Sequence, residues 1–474
     1  MAEEKALKWL DEKKCYLENI NDTIWEFAEV GLQEFKSAEL LAGELEKAGF
    51  AVEKGVAGMP TAFVATWGSG KPKIGFLAEY DALPHLSQKV STKKEPVVDD
   101  APGHGCGHNT YGAAVLGTVL ALKEQMEEEK IGGTIVFYGC PAEETLVGKV
   151  FMARDGLFDD LDCALTWHPM TFNTVWEGSS MAMNSAKFTF YGRSAHAAAN
   201  PEQGRSALDA VELMNTGVNF LREHVISDAR LHYVITKGGG EPNVVPPEAQ
   251  SWYYVRAPRR KDVDEIFARV MKIAEGATLM TETTMKMEML VGCYNMLPNR
   301  VLGQLLYESL KKIGPPTWTE EEIQFAKELT GTFAPGQKET VFRVGGAPME
   351  YLEKYLDDTI CPPYDKGRIL AGSTDVSDVS WVTPTAQITT ACGPLGMAGH
   401  SWQFVATSGM SIAHKGMMLA AKALAVAGLE LLRKPDIIEA AQAEFKQSTK
   451  GQPYECAMPP EAKPPLDQLP KHDD

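Results

Sequence analysis

Residues 73–81 read KIGFLAEYD, a short apolar run that ends in two carboxylates. Two similar runs, TIVFYGC at 134–140 and DCALTWH at 162–168, also end at or beside carboxylates or imidazole. Continuous apolar runs of this kind are typical of parallel strands that are buried on both faces. A helix predicted over residues 112–126 separates the first two strands, which gives a strand–helix–strand pattern. The sequence therefore predicts an α/β fold with a mostly parallel sheet and flanking helices.

Residues of the types that bind metals follow these strands. In an open α/β sheet, ligands bind beyond the carboxyl ends of the strands, so side chains at those ends converge although they are distant in sequence. Thiolate and imidazole favour zinc or a similar transition ion. The side chains expected to converge are Asp81, Cys106, His108, Glu143, Glu144 and His168. The pattern predicts a metal site at this edge of the sheet.

The glycine-rich segment GHGCGHN at residues 103–109 spaces His104, Cys106 and His108 two residues apart. One helix face cannot hold all three, but an extended loop can direct alternate side chains to one point. The alternative is a glycine loop with incidental histidines. The carboxylates at the neighbouring strand ends argue against that alternative.

Glu143 and Glu144 directly follow a buried strand. Adjacent residues that leave a strand point in different directions, so one carboxylate can bind a metal while the other transfers protons. A surface charge pair is the alternative for these two residues. His168 is either a ligand or a satisfied core histidine, and the sequence around His400, GMAGHSWQF, leaves its role open.

The order of predicted elements changes near residue 183. The new order is strand, helix, strand, strand, helix, strand, which matches a ferredoxin-like α+β module inserted into the larger domain. The predicted elements cover residues 187–191, 206–223, 230–236, 249–257, 261–277 and 284–292. We therefore expect a first domain formed by residues 1–183 and 296–450, an inserted domain at 184–295 and a tail at 451–474. Residues 330–370 are expected to form an insertion without an assigned structure.

Two local predictions concern the N-terminal part of the chain. Residues 3–50 are expected to form two helices, the second beginning at Ser37. The glycines of residues 68–70 predict a hairpin turn between strands at 61–67 and 73–80.

Charge and composition narrow the class of protein. The formal net charge is −18 and Lys and Arg form no cluster, which argues against nucleic-acid binding. No run of about twenty apolar residues and no signal sequence occur, so we expect no membrane association and a cytoplasmic location. The eight cysteines include no CxxC motif, which favours reduced thiols over a disulfide framework.

The motifs taken together resemble those of a known family. They are EYDALP (79–84), GHGCGHN (103–109), PAEE (141–144), LTWHP (165–169), GRSAHAAANPEQGRSALDA (192–210) and PNVVP (242–246). The set is similar to the aminoacylase and carboxypeptidase family of dinuclear metallopeptidases, in its hippurate-hydrolase-like branch. That branch commonly has aspartate where Glu79 and Asn109 stand here.

The resemblance implies two divalent metal ions, zinc or manganese. It makes Cys106 the ligand that bridges them, and Glu143 the general base. Asp81 would orient a metal-binding imidazole. The remaining ligands would be His108, Glu144, His168 and His400.

The resemblance also implies that the inserted domain is a dimerisation or lid domain. His196 would reach into the site of the partner subunit and stabilise the developing oxyanion. Asn243 and Arg256 would hold the carboxylate of the substrate, which suits a guanidinium group. From the residues alone, Asn243 is a turn asparagine and Arg256 a strand-surface arginine.

The function expected from the resemblance is a metal-dependent amidohydrolase that cleaves the amide of a small N-acyl or aroyl amino acid. The first candidate is p-aminobenzoyl-glutamate, which would give p-aminobenzoate and glutamate. A dipeptidase and a hydrolytic deaminase on the same scaffold are alternatives. The enzyme is expected to be a homodimer or to act with a homologous subunit, and a subunit that depends on that partner is a further alternative.

Overall fold

The computed structural model describes residues 4–466, which form fourteen α-helices and two β-sheets. The strands are β1 (Ala51–Lys54), β2 (Phe63–Ser69), β3 (Lys73–Ala78), β4 (Gly133–Gly139), β5 (Cys163–Met170), β6 (Thr174–Trp176), β7 (Ala182–Tyr191), β8 (Arg230–Lys237), β9 (Glu248–Ala257), β10 (Thr284–Cys293) and β11 (Thr385–Ala391). The helices are α1 (Glu4–Glu12), α2 (Lys14–Phe27), α3 (Phe35–Lys47), α4 (His108–Glu129), α5 (Gly148–Arg154), α6 (Ala207–Leu221), α7 (Arg260–Thr281), α8 (Arg300–Ile313), α9 (Glu320–Thr330), α10 (Gln337–Gly345), α11 (Val376–Val382), α12 (Trp402–Ser408), α13 (Ser411–Arg433) and α14 (Pro435–Thr449).

The larger sheet has the strand order β1-β2-β4-β3-β5-β11-β6. Its four central strands, from β4 to β11, are parallel, and the antiparallel pairs lie towards its edges. Helices α4, α8 and α13 pack against one face, and α5 and α11 lie on the other. The central strands read as continuous apolar runs because both of their faces are covered. The prediction of a mostly parallel sheet with flanking helices is confirmed.

The hairpin predicted across residues 68–70 is wrong. β2 and β3 run in opposite directions, but β4 lies between them and pairs with both. β4 is buried along its whole length, so the backbone groups at both of its edges need partners within the protein. A turn signal indicates that the chain reverses, and it carries no information about which strand fills the space between.

The N-terminal residues form three helices rather than the two predicted. The first predicted helix is divided at Lys13 into α1 and α2, and the second begins at Phe35 instead of Ser37. Leu41 and Leu45 of α3 are fully buried, as an amphipathic helix packed on the sheet requires.

The smaller sheet has the order β10-β7-β9-β8 and is antiparallel throughout. Helices α6 and α7 cover one of its faces through a separate apolar core. The elements follow the predicted strand–helix–strand–strand–helix–strand order, and the inserted ferredoxin-like module is confirmed. The domain bounds placed at residues 184 and 295 stay a prediction.

The predicted insertion contains α10 and a short 3₁₀ turn at Met349–Tyr351. It is tied to the larger domain near β6, where both carboxylate oxygens of Asp365 accept hydrogen bonds from the backbone N–H groups of Glu177 and Gly178. Of the predicted tail, residues 451–466 form no α-helix or strand and lie against the larger domain, where the hydroxyl of Tyr454 donates to Asp378. Residues 467–474 lie outside the described residues.

Between residues 4 and 466, no helix has both the length and the apolar character needed to cross a membrane.

Candidate metal centre

The segment between β3 and α4 brings two candidate ligands to the carboxyl edge of the larger sheet. Gly107 adopts a φ of +76°, and a Cβ atom there would collide with Phe404 and Pro169. This left-handed residue lets the chain turn directly into α4, whose first residue is His108. Cys106 therefore lies in the loop and His108 in the first helical turn, and their side chains face the same point.

His108 is oriented by Asp81. The Nδ1 atom of His108 lies 2.8 Å from Oδ1 of Asp81, and the backbone N–H of Glu144 donates to the other carboxylate oxygen. Burial by itself would raise the pKa of Asp81, but the adjacent His108 outweighs this effect and holds that pKa below its ordinary value. With Nδ1 donating to Asp81, the lone pair of Nε2 is available to a metal ion, as in other histidine ligands that are held by carboxylates.

Cys106 belongs to two groups of donor atoms. One group joins it with His108 and His168, and the other with Glu144 and His400; within each group the donor atoms lie within 4.8 Å of one another. Its Sγ is 3.4 Å from Nε2 of His168. Desolvation would raise the pKa of this thiol, but the two imidazoles at positions 168 and 108 outweigh it and hold the pKa well below its usual range. A thiolate shared by two donor groups has the arrangement of a bridging ligand.

His400 completes the second group from a distant part of the chain. Its backbone N–H donates to the carbonyl of Gly105, and its Nε2 lies 3.1 Å from Oε2 of Glu144. Hydrogen bonding to Cys106 and Glu144 raises the pKa of His400 to about 11. Burial, followed by the charge of Cys106, raises the pKa of Glu144 to about 6.

Glu143 faces a different side of the centre from Glu144, as expected for adjacent residues that leave a strand. It begins a short 3₁₀ turn, Glu143–Thr145, and forms a third donor group with His108 and Glu79. Its Oε2 is 3.9 Å from Nε2 of His108. Burial and the nearby carboxylates of Glu79 and Asp375 raise the pKa of Glu143 well above its ordinary value.

The residues present fit metal ions. Oε1 of Glu144 is buried and has no hydrogen-bond partner among residues 4–466, and Nε2 of His108, 3.2 Å from Oε2 of Glu79, makes no hydrogen bond there either. Buried polar atoms without partners are costly, so such atoms in a cluster are expected to bind something that the chain itself does not supply. The combined sulfur, nitrogen and oxygen donors suit zinc or a similar divalent ion.

Three charged residues near the centre, Glu79, Lys149 and Asp375, were not among the predicted site residues. Glu79 lies 3.2 Å from Nε2 of His108, and Lys149 lies 2.7 Å from the other oxygen of Glu79 and 2.6 Å from Asp375. Glu79 could have been found, because it precedes Asp81 by two positions and alternate strand residues share a side. Lys149 stands in a helix and carries no comparable signal.

His104 is not part of the centre, so only two of the three alternate side chains of this loop, Cys106 and His108, converge there. Its Nε2 lies 3.0 Å from the carbonyl oxygen of Ile24, on the opposite side of the loop. Burial lowers its pKa to about 4, as expected for a histidine held neutral in the core. The turn at Gly105 and Gly107 breaks the regular alternation of side-chain directions that an extended loop would have.

The inserted domain places its predicted residues at two separate ends of its sheet. His196 and Asn243 are exposed on adjacent loops, which are joined by a hydrogen bond from the N–H of Ala197 to the carbonyl of Asn243. Arg256 lies near the far end of β9, where its guanidinium is 3.3 Å from Oγ of Ser373. Neither His196 nor Asn243 makes a hydrogen bond or ion pair to the metal centre within the described part of this single chain. The length of β9 keeps Asn243 and Arg256 apart.

Comparisons with known proteins agree with this architecture. A family model described as a peptidase dimerisation domain matches residues 180–279. The chain is 44% identical over 457 residues to a subunit of p-aminobenzoyl-glutamate hydrolase from Escherichia coli (strain K12), covering 94% of this chain and 95% of that protein. It is 28% identical to an Xaa-Arg dipeptidase of Mus musculus, covering 94% of this chain and 92% of that protein. Among solved structures, a dinuclear metal binding peptidase of the M20 family from Bacillus subtilis has the same fold, with a TM-score of 0.59, 15% identity and coverage of 89% of this chain and 99% of that one.

Proposed function

Because the chain belongs to the M20 peptidase family, together with the p-aminobenzoyl-glutamate hydrolase subunit, we propose that it hydrolyses the amide bond of aroyl amino acids. The first candidate substrate is p-aminobenzoyl-glutamate, which gives p-aminobenzoate and glutamate. The observation that carries the proposal is Cys106, whose thiolate belongs to two donor groups beside the free carboxylate of Glu143. That arrangement suits a hydrolase with two metal ions.

The proposed cofactor is a pair of divalent ions, zinc or manganese. Cys106 would contribute its thiolate to both ions. His108 and His168 would serve one ion, and Glu144 and His400 the other. Bound there, the ions would polarise the scissile carbonyl and make water a stronger acid.

Glu143 is the proposed general base. Its carboxylate takes a proton from the attacking water and then gives it to the nitrogen of the leaving amine, so that one carboxyl group serves both steps. Burial and the carboxylates of Glu79 and Asp375 raise the pKa of Glu143. A higher pKa helps this carboxyl group to keep the proton between the two steps. Asp81 keeps the imidazole of His108 in the tautomer that can bind metal.

We propose that the inserted domain forms a homodimer that completes each active site. The match to a dimerisation domain supports this, and so does β8, an edge strand on which Val234 and Ile235 are exposed. In the dimer, His196 of one subunit would stabilise the oxyanion in the site of the other. Asn243 and Arg256, which lie at opposite ends of the sheet of the inserted domain, would bind the substrate carboxylate.

Two further assignments accompany this proposal. The eight free thiols suit a reducing compartment, so we place the protein in the cytoplasm.

The 44% identical relative is one subunit of its hydrolase, which favours a homologous second subunit as an alternative partner. The complete set of candidate ligands together with Glu143 supports catalysis by this chain itself.

A dipeptidase is the second candidate function, favoured by the resemblance to the Xaa-Arg dipeptidase along nearly the whole chain. A hydrolytic deaminase uses the same type of centre but releases ammonia in place of an amino acid. These reactions have different products, so one set of assays separates them.

The test is glutamate release from p-aminobenzoyl-glutamate by the purified protein, stripped of metal and then resupplied with manganese or zinc. Metal-dependent release that is abolished in Glu143→Ala, without loss of bound metal, is the expected result. Release of ammonia alone would assign a deaminase, and cleavage restricted to dipeptides would assign a dipeptidase. If the metal-loaded protein becomes active only after a homologous subunit is added, the partner-dependent alternative is correct.

A further inference from the structure

A cavity of about 110 Å³ lies beside the candidate metal centre, under the edge strand β6. One wall is formed by the larger sheet and the other by the insertion. The sheet contributes Met170, Thr174 and Trp176, and the insertion contributes Val341 and Tyr364. The insertion therefore forms one wall of a largely apolar cavity.

The cavity begins next to a candidate ligand, because Met170 of the same strand and Thr389 of the neighbouring strand both line it. Thr389 of β11 pairs with His168 of β5 on one side and with Thr174 of β6 on the other. Residues paired across a sheet point to the same face, so these three side chains form a row about 10 Å long. The ring of Trp176 is 6.5 Å from the ring of His168, edge to face. A group bound in the cavity is thus next to the centre where an amide would be cleaved.

Two polar atoms in the cavity wall have no protein partner. The side chain of Thr174 is 4% exposed, and its hydroxyl makes no hydrogen bond within residues 4–466. The indole N–H of Trp176 is also buried and unpaired in that part of the chain. Both residues line the cavity. Because buried donors and acceptors without partners are costly, their presence indicates a bound group that hydrogen-bonds to them.

We propose that this cavity binds the aromatic ring of the acyl group, and that the insertion thereby sets the acyl specificity of the enzyme. An engineered cavity of about 150 Å³ binds benzene, so this space of about 110 Å³, roughly three quarters of that volume, leaves room for no more than a single ring. The hydroxyl of Thr174 and the N–H of Trp176 select a ring that carries a polar substituent, such as an amino or hydroxyl group. This inference rests on the proposed function. It specifies the acyl group of the substrate, which the sequence alone does not determine.

A matched pair of variants tests the cavity. Val341→Phe fills it, whereas Val344→Phe makes the same change one helical turn away at a side chain that is 61% exposed. In Val341→Phe, we expect kcat/KM for p-aminobenzoyl-glutamate to fall at least tenfold. In Val344→Phe it should change less than twofold, and bound metal should be unchanged in both. Thr174→Val should lower the preference for p-aminobenzoyl-glutamate over benzoyl-glutamate at least threefold.

Calorimetric titration with p-aminobenzoate separates this inference from the proposed function, because it requires no turnover. Loss of p-aminobenzoate affinity in Val341→Phe but not in Val344→Phe supports the cavity, even if the wild-type protein cleaves no aroyl-glutamate and the proposed function fails. If the wild-type protein cleaves the substrate but neither affinity nor kcat/KM responds to Val341→Phe, the inference is overturned and the function stands. Absence of both binding and cleavage in the wild-type protein overturns both.

Discussion

The ammonium nitrogen of Lys149 lies 2.7 Å from Oε1 of Glu79, and both side chains are buried. A second carboxylate, Asp375, lies 2.6 Å from the same nitrogen. One buried cation thus faces two buried carboxylates at the rim of the candidate metal centre. Since Asp375 follows the loop in which Ser373 contacts Arg256, this network also joins the centre to the inserted domain.

Lys149→Met should lower the free energy of unfolding by about 3–5 kcal/mol, because removal of one partner leaves uncompensated buried charge. Urea denaturation measures this loss. Adding Asp375→Asn should recover part of the stability, since it removes one of the stranded carboxylates. Lys47→Met, at a side chain that is 74% exposed, is the control and should have little effect. Equal free energies of unfolding for Lys149→Met and the wild-type protein would show that this ion-pair network does not stabilise the fold.

Cys106→Ala should remove more bound metal than the loss of any other single candidate ligand, because this thiolate belongs to the donor group with His168 and also to the group with His400. Elemental analysis after dialysis should find about two ions per chain in the wild-type protein and one or none in the variant. His168→Ala should affect one group only and retain about one ion. Cys456→Ala, a thiol outside the centre, is the matched control. Two tightly bound ions in Cys106→Ala would show that the thiolate is not shared.

Two inactive variants, His196→Ala and Glu143→Ala, should restore activity when they are co-expressed. If His196 acts in the partner's site, each mixed dimer has one site with both residues intact. Random pairing makes half of the dimers mixed, so activity should reach about a quarter of the wild-type value. The measurement is amide hydrolysis by the co-purified mixture. Activity no greater than that of the separate variants would place His196 in its own subunit's site, or outside catalysis.

Asp378 should make the protein less stable as pH rises through the range from about 4 to 7. Burial raises its pKa to about 7 in the folded protein, although its hydrogen bond with Tyr454 opposes the shift. In that range the folded state holds a proton that the unfolded state has lost, so stability present at low pH declines as pH rises. Asp378→Asn should raise stability at pH 8 by roughly 2–4 kcal/mol and flatten the dependence.

The check on this prediction is the melting temperature between pH 5 and 8. Asp228→Asn, a change at an exposed carboxylate, serves as the control and should follow the wild-type curve. An unchanged slope for Asp378→Asn would mean that other groups determine the pH dependence.

The apolar runs that lead to Asp81, Glu143 and His168 predicted three of the four central parallel strands of the larger sheet and the proximity of the candidate ligands near their ends. These predictions depended on patterns within one segment, and parallel strand ends meet by geometry alone. The position of β4 between β2 and β3 could not be predicted in this way. It is decided by pairing between segments that are distant in the chain.

The same limit applies within the metal centre. His104 and His108 each follow a glycine, yet only the second faces the centre, because a backbone turn decides between them. Lys149 and the cavity wall at Val341 depend on contacts between distant helices and strands. His400 could be assigned only through family resemblance, and the structure shows the contact to Gly105 that brings it in.

The position of β11 bears on how the chain is made. This strand is the last in chain order among residues 4–466, but it lies inside the sheet, between β5 and β6. Until it is synthesised, β5 lacks its neighbour and exposes an unpaired edge that can associate with other chains. His400 follows β11, so the donor group of Cys106, Glu144 and His400 can form only after β11 has been synthesised. Assembly of the candidate metal centre therefore depends on the part of the chain that follows β11.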